Sequence, residues 1–542
     1  MPFSYKYLFT FLCLLLFNLG MTQSFPIGFN SMDEKLRDLQ LQGKIPLNYS
    51  FLSRPYNTNA LLRMDSIVNA IEPNYNLPYS KMKLTSKLNF TLAPISSVTK
   101  FNSDHPYGNN QQGFINAKGI QTYLSTGVYL KYGILDAQLM PELVYANNPN
   151  FETSDNYGAP TKGAYRKLFM GQSFVRLSYK NLSLSLSSEN KWWGPGIQNA
   201  IIMSNNAPGF THLALQSKGP IKTAIGNFEF SLLAGKLVED TSVLLEVKDL
   251  TTYYYAQGSY VGSPSVASRD TGTWRYLNSI NLVYNPIFAP SLYLFINRVG
   301  YTYSSNIGKH GNFLQDYLPV FIGLFRGTNK YYTSDGTNTS TKQIVSLGGR
   351  YVFQKAHAEL YAEYGIGDNT FNLRDFALSV DHGATFMVGF KKMVPLANEK
   401  WLDMEAEATQ LTQSFNNKYR GTGGDWYLYQ GSYTNQGRII GAGFGMISNM
   451  QNLKFSIKNK FSEKGILLQR IIHNTTLEPY FSLNKRWVDY SLGYIFRKRI
   501  NNLVIQSKTQ LVFSDNYAWK INEKRFNLSS QLGLLYFIAL KK

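Results

Sequence analysis

From about residue 83 onward, apolar and polar positions alternate with a period of two. In Leu182-Ser183-Leu184-Ser185-Leu186-Ser187 the leucines take one side and the serines the other, because successive side chains of a strand point to opposite faces. The same pattern sets Leu453, Phe455 and Ile457 against Lys454, Ser456 and Lys458, and Met404, Ala406 and Ala408 against Glu405, Glu407 and Thr409. One such strand also fits a soluble sandwich whose lysines face water. Repetition over about 450 residues, with charges opposite apolar positions, predicts lipid-out, lumen-in strands of a transmembrane barrel. Spanning strands take about 9 to 11 residues. At roughly 25 residues per strand with turns and loops, the length predicts about 18 strands, give or take about two. The expected fold class is all-β, a transmembrane antiparallel β-barrel over residues 83–542 with a small N-terminal helical element. Stretches rich in Gly, Ser, Thr, Asn and Pro at 147–162, 261–272 and 327–341 predict long extracellular loops.

Ahead of the barrel the period changes. Between residues 31 and 72, Leu36, Leu39 and Leu41 recur at helical spacing, and a second segment carries Leu61, Leu62, Ile67 and Val68, with Pro46, Pro55 and Pro73 as punctuation. Two short helices cannot form a core alone, so they are expected to pack against something else. The first 22 residues read as a secretory signal peptide. Lys6 supplies a positive start, residues 7–19 are almost wholly apolar, and Gly20, Thr22 and Ser24 place cleavage near Gln23. That apolar run is short of the roughly 20 residues a membrane helix needs. The single cysteine, Cys13, lies inside the run rather than after it, so lipidation is not expected, and the mature chain has neither disulfides nor thiolate metal sites.

Composition agrees with a barrel. Aromatic residues are 15% of the chain, with 38 Tyr and 35 Phe, as expected where aromatic girdles sit at both membrane interfaces. Charged residues are 16%, below the roughly 25% of soluble domains. The formal net charge of +20 makes an acidic partner plausible. Clusters such as Arg497-Lys498-Arg499 and Lys541-Lys542 face lipid phosphates or periplasmic solvent in one reading, and an acidic polysaccharide in another. Nucleic acid is not expected as a partner of an exported protein that shows no recognition-helix or sheet motif of the usual kinds.

Three stretches carry a family resemblance. The first is Ser188-Glu189-Asn190-Lys191-Trp192-Trp193-Gly194-Pro195-Gly196, continuing to Ser204-Asn205-Asn206-Ala207-Pro208-Gly209-Phe210-Thr211-His212-Leu213. The second is Asn372-Leu373-Arg374-Asp375-Phe376 followed by Asp381-His382, and the third is Gly431-Ser432-Tyr433-Thr434-Asn435-Gln436-Gly437 running into Ile440-Gly441-Ala442-Gly443. With Leu36-Arg37-Asp38-Leu39-Gln40-Leu41-Gln42-Gly43-Lys44 near the start, the chain resembles the capsule-assembly Wzi family in its Bacteroidetes branch. The resemblance implies an 18-stranded outer-membrane barrel with a helical element at its periplasmic end. It further implies a non-enzymatic, lectin-like role in assembling or anchoring capsular or other surface polysaccharide. Two features depart from the family pattern. Gly365-Ile366-Gly367-Asp368 stands where charged or small residues are usual, and the chain ends Leu540-Lys541-Lys542, displacing the terminal aromatic to Tyr536 or Phe537.

The candidate contacts each have two readings. Trp192 and Trp193 offer indole faces for sugar rings, or act as girdle or lumen residues fixing the turn at Gly194-Pro195-Gly196. Asn205, Asn206 and His212 suit hydroxyl or carboxylate ligands, or satisfy backbone groups of an inward-folded loop. Arg374, Asp375 and His382 suit a uronic acid carboxylate, or form a structural pair in the lumen. Gly441-Ala442-Gly443-Phe444-Gly445 is read as a bend or close packing in a strand rather than a nucleotide loop. There is no Walker loop, no G-x-S-x-G elbow and no zinc spacing among the six histidines, so no cofactor and no metal are expected. Glu405 and Glu407 would line a lumen, or serve a hydrolase. A porin and a glycan or lipid hydrolase are the alternatives. Outer-membrane lipid and lipopolysaccharide are the expected surroundings, and a closed barrel, having no free edge, is expected to be monomeric.

Overall fold

A computed structural model describes residues 33–56, 80–83, 88–110, 112–148, 163–240, 274–309, 313–321, 341–367, 373–378, 380–381, 383–412, 433–445, 447–460, 462–473 and 486–538. The expected signal peptide, the second helical segment and most of the three expected loops lie outside them. Among the described residues no helix is long and apolar enough to cross a membrane.

The alternation becomes a wall with its apolar side outward. Leu182, Leu184 and Leu186 are about half exposed, at 44%, 50% and 53%, while Ser183, Ser185 and Ser187 are buried. Leu453, Phe455 and Ile457 likewise point outward from buried Lys454, Ser456 and Lys458. This is the reverse of a soluble protein, and it suits a chain whose outer solvent is lipid. Every pairing between neighbouring wall strands is antiparallel.

Four of the wall strands are bent. They are Leu88–Leu92 with Ile95–Asn102, Gly119–Ser125 with Val128–Tyr132, Leu135–Leu139 with Glu142–Ala146, and Tyr165–Phe169 with Phe174–Tyr179. The bends align as a seam of Ala93-Pro94, Gly127, Met140-Pro141 and Gly171. Proline cannot donate to the ladder there. Gly127 and Gly171 are forced, since a Cβ would sit 2.0 Å from the Leu139 carbonyl oxygen and 2.5 Å from that of Met140. With fourteen continuous strands these four make a ring of eighteen among the described residues, in line with the expected count. The ring closes where Arg525–Tyr536 pairs with Ile95–Asn102. The displaced C-terminal aromatics flank this seam's end: Tyr536 points outward and Phe537 is buried.

Short turns such as 396–400 and 501–502 lie at one end, and the long connections at the other. A barrel of this size would leave an aqueous channel if its loops stayed outside. The N-terminal helix Asp33–Leu41 enters the short-turn end. Leu41 packs with Leu52, Tyr293, Val352 and Met393. The Leu41 carbonyl is 2.8 Å from His357 Nδ1. Its polar face meets charges on the wall: Asp38 with Lys391 at 2.7 Å and Lys458 at 2.9 Å, Arg37 with Glu359 at 2.7 Å, and Glu34 with Lys454 at 3.2 Å. Burial on its own would raise the Asp38 and Glu34 carboxyls. The facing lysines outweigh it and hold both below the ordinary carboxylate range.

Groups depressed in the folded state contribute stability above their ordinary values, and lose it as pH falls through the folded ones. Protection of residues 33–41 from protease should therefore be constant from pH 7 down to about 5 and decline only below the ordinary values of 4.5 and 3.8. A loss beginning above pH 6 would contradict this docking. Asp38→Ala, which leaves two buried lysines short of an anion, should release the helix at neutral pH, at a cost on the order of 3 kcal/mol.

Candidate functional site

The connection after strand Leu182–Ser187 turns into the lumen instead of rising from it. Ser188 Oγ donates to the Gly171 carbonyl at 2.8 Å, and Asn190 Nδ2 donates to that of Ala207 at 2.7 Å, closing the loop on itself. Glu189 accepts from Arg176 at 3.0 Å. Burial holds Lys191 below the ordinary lysine value, although Glu189 opposes the shift.

The two tryptophans follow. Trp193 is fully buried among Ile201, Met203, Tyr361 and Met387. Its backbone N–H donates to the Met203 carbonyl at 3.0 Å. Trp192 is also buried, and the Arg54 guanidinium lies over its ring at 5.2 Å. Residues Ser53–Arg54 pair with Trp192–Trp193 as a two-stranded ribbon inside the barrel.

The turn that follows is held from three sides. Arg37 donates to the Pro195 carbonyl at 2.6 Å, and Arg54 to that of Gly196 at 3.3 Å. The Glu407 carboxylate accepts the backbone N–H groups of Ile197 at 2.7 Å, Gln198 at 3.1 Å and Asn199 at 2.9 Å, and the Tyr361 hydroxyl at 2.8 Å. A loop buried in a lumen has backbone donors that water cannot reach, and one carboxylate satisfies three of them. Gly194 has φ +122°, and a Cβ on Gly196 would lie 1.9 Å from the Asn199 carbonyl oxygen. The glycines of this motif are therefore steric necessities.

The loop's far side meets two others. The Asn205 carbonyl accepts from the Gln112 N–H at 2.6 Å. Asn206 donates to the Ile439 carbonyl at 3.0 Å and accepts from Arg438 at 3.1 Å. Ser204 donates to the Gly441 carbonyl at 2.6 Å. The glycine run 441–445 lies in a buried loop and not in a strand, so the expected strand placement is corrected. The expected close packing is present, since a Cβ on Gly443 would meet Asn206 at 2.3 Å. His212 is buried on the wall, with Nδ1 2.7 Å from the Phe210 carbonyl oxygen.

Trp192, Trp193, Asn205 and Asn206 thus gather on one inward loop, with His212 on the wall strand that follows it, and all five are buried. Arg374 is exposed on the short helix Leu373–Leu378, apart from that set. Asp375 is on the same helix, and His382 lies outside the described residues. Glu405 and Glu407 have separate tasks: Glu405 joins Lys391 and Lys454, at 2.7 and 2.9 Å, while Glu407 anchors the loop. Among the described residues no cluster of His, Cys, Asp and Glu is placed to hold a metal.

A feature missed in the sequence lies beside the inner ribbon. A small cleft, open to solvent, is lined by Tyr49, Phe51, Tyr56, Gln216, Lys218 and Glu229, among others. Tyr49 stacks on Phe51 with centroids 6.3 Å apart, and Tyr56 meets Phe51 edge-on at 5.1 Å. Aromatic rings beside amide, ammonium and carboxylate groups suit a sugar. The one signal was three aromatics within eight residues, 49–56, next to Pro55.

A family model described as capsule assembly protein Wzi matches residues 102–259, a stretch that contains the inward loop. Among solved structures, Wzi of Escherichia coli, an outer-membrane protein involved in group 1 capsule assembly and a carbohydrate-binding β-barrel, is similar in fold. The similarity covers 96% of this chain and 100% of that one, with a TM-score of 0.60 and 12% identity. Acinetobacter baumannii OccAB3 covers 82% of this chain and 98% of its own at TM-score 0.43 and 9% identity. Pseudomonas aeruginosa OccK7 (OpdD) covers 82% and 98% at TM-score 0.40 and 10% identity. No curated protein matches the chain in sequence.

Glu407→Gln removes the charge and one acceptor from three buried N–H groups, and is expected to cost about 2 kcal/mol. It should lower the temperature at which the barrel loses heat-modifiable migration in a gel. Gly196→Ala should do the same more severely, and unchanged migration in both would contradict the anchoring geometry.

Proposed function

We propose that this chain, a β-barrel whose residues 102–259 match the capsule assembly protein Wzi model, lies in the outer membrane and assembles or anchors capsular or other surface polysaccharide at the cell surface. The observation that carries this reading is the occupied lumen. The helix 33–41, the ribbon at residues 53–54 and the loop 188–210 are pinned to the wall by buried charge and by Glu407. A porin needs a continuous water path, and these contacts oppose one. Such a barrel serves as a scaffold, and its role is to hold a ligand with no bond made or broken.

In this reading the five buried candidates, Trp192, Trp193, Asn205, Asn206 and His212, shape the loops. Contact with polymer falls to Arg374, with Asp375 and His382 near it in sequence, and to the aromatic cavity at Tyr49 and Tyr56. The outward leucine and aromatic belt contacts outer-membrane lipid and lipopolysaccharide, and the closed ring functions as a monomer.

In a strain lacking this protein, polysaccharide should shift from the cell-bound to the released fraction while total synthesis stays constant. Unchanged retention would reject the anchoring role. The purified barrel should be silent in planar bilayers, and a large, steady conductance would instead favour the porin.

A further inference from the structure

On the wall strands Arg275–Pro286, Leu292–Tyr303 and Lys342–Phe353 the exposed residues Leu282, Leu294 and Leu347 mark the outward face. Steps of two along each strand put Asn278, Arg298, Gly300, Thr302 and Gln343 on that same face. A face turned to lipid is costly for an arginine or an amide. All five positions are nevertheless buried.

What covers them is part of the connection after Tyr303, which lies against the outside of the wall. The Arg298 guanidinium donates to the Val320 carbonyl at 2.9 Å and to the Gln343 side-chain oxygen at 3.2 Å. The Val320 N–H donates to the Asn278 side-chain oxygen at 3.4 Å. Tyr276, outward on the same strand as Asn278, donates its hydroxyl to the Tyr317 carbonyl at 2.6 Å. A Cβ on Gly300 would lie 3.0 Å from the Pro319 ring, so the glycine leaves room for the turn. Pro319 and Val320 are buried against the wall. The short helix Phe313–Tyr317 and the turn after it direct Phe313, Leu314, Tyr317 and Phe321 away from the wall, each 43% to 66% exposed. A second connection repeats the device: Tyr364, on the same outward face as Leu360, donates to the Val380 carbonyl, and Leu378 and Val380 are exposed.

A cluster of large apolar side chains facing out marks an interaction surface. Here it continues, one layer further out, the belt of Leu282, Leu294 and Leu347. We propose that segment 313–321, seated on Asn278 and Arg298, is an interfacial anchor that inserts Phe313, Leu314, Tyr317 and Phe321 among the lipids of the outer leaflet. The partner is lipid because the face is continuous with the lipid-facing wall, and its four exposed side chains are aromatic or aliphatic, as in amphipathic segments that lie in a membrane interface. The polar seat beneath holds the segment in place, since Arg298 and Asn278 would otherwise meet hydrocarbon. One sector of the wall is thereby thicker than the rest and is tied to the depth of the leaflet. The anchor rests on the outer-membrane reading and adds to it an element outside the wall.

The test uses the full-length barrel in vesicles of phosphatidylethanolamine and phosphatidylglycerol, with a nitroxide attached at one position at a time through Leu314→Cys, Phe321→Cys, Leu347→Cys or Lys520→Cys. Leu347 faces lipid from the wall itself, and Lys520 is exposed in the connection between the last two strands. Labels at 314 and 321 should be reached by oxygen more than by a water-soluble nickel chelate, as at 347, with the order reversed at 520. Adding Arg298→Met should free the segment, so that the label at 321 moves faster and loses its preference for oxygen. The label at 347 and heat-modifiable migration should stay unchanged in that variant. Chelate access at 314 and 321 equal to that at 520 would overturn the anchor. Shielding from both reagents would overturn it too, since a protein neighbour would then occupy the face, and an unaltered label at 321 in Arg298→Met would overturn the seat. Failure at 347 as well would instead reject the membrane placement of the wall, and the anchor with it.

Discussion

Six cations and six carboxylates meet in the short-turn half of the lumen: Arg37, Arg350, Lys391, Lys454, Lys458 and Arg497 against Glu34, Asp38, Glu359, Asp403, Glu405 and Glu463. A buried ion lattice gives little net stability, but removal of one member leaves an uncompensated charge. Its consequence is placement. The helix has a seat in which Glu34, Arg37 and Asp38 each meet an opposite charge, and Arg37 in that seat reaches both Glu359 and the Pro195 carbonyl. The inward loop thereby takes its position from the helix. Glu407 then fixes the same loop from the wall, so the lumen filling behaves as one connected body.

The fold was legible because a membrane barrel writes its architecture in the side-chain period. Leucines facing lipid against serines facing inward, as at residues 182–187, need no knowledge of distant partners. The helix at Leu36 and Leu39 was legible for the same reason. The bent seam was not read, although its residues are visible as Ala93-Pro94, Gly127, Met140-Pro141 and Gly171, because a Pro or Gly shows its meaning only once the strands are in register.

The site was less legible. Glu407 looked like one more lumen-lining residue, and the backbone N–H groups it holds lie 208 to 210 residues away. Asp38 and Lys458 are 420 residues apart. Alternation says that such groups face inward and is silent on what they meet. Trp192 and Trp193 illustrate the converse, since a motif conspicuous in sequence owes its shape to packing around a turn.

The helix seat also imposes an order in time. Residues 33–41 leave the ribosome early, yet Lys454, Lys458 and Arg497, which hold Glu34 and Asp38, are made more than 400 residues later. Glu34 and Asp38 wait without these partners until then, and the helix docks only after the wall's final strands are in place. Assembly therefore finishes at the beginning of the polypeptide, and a wall still open at its closing seam has not yet acquired its filling.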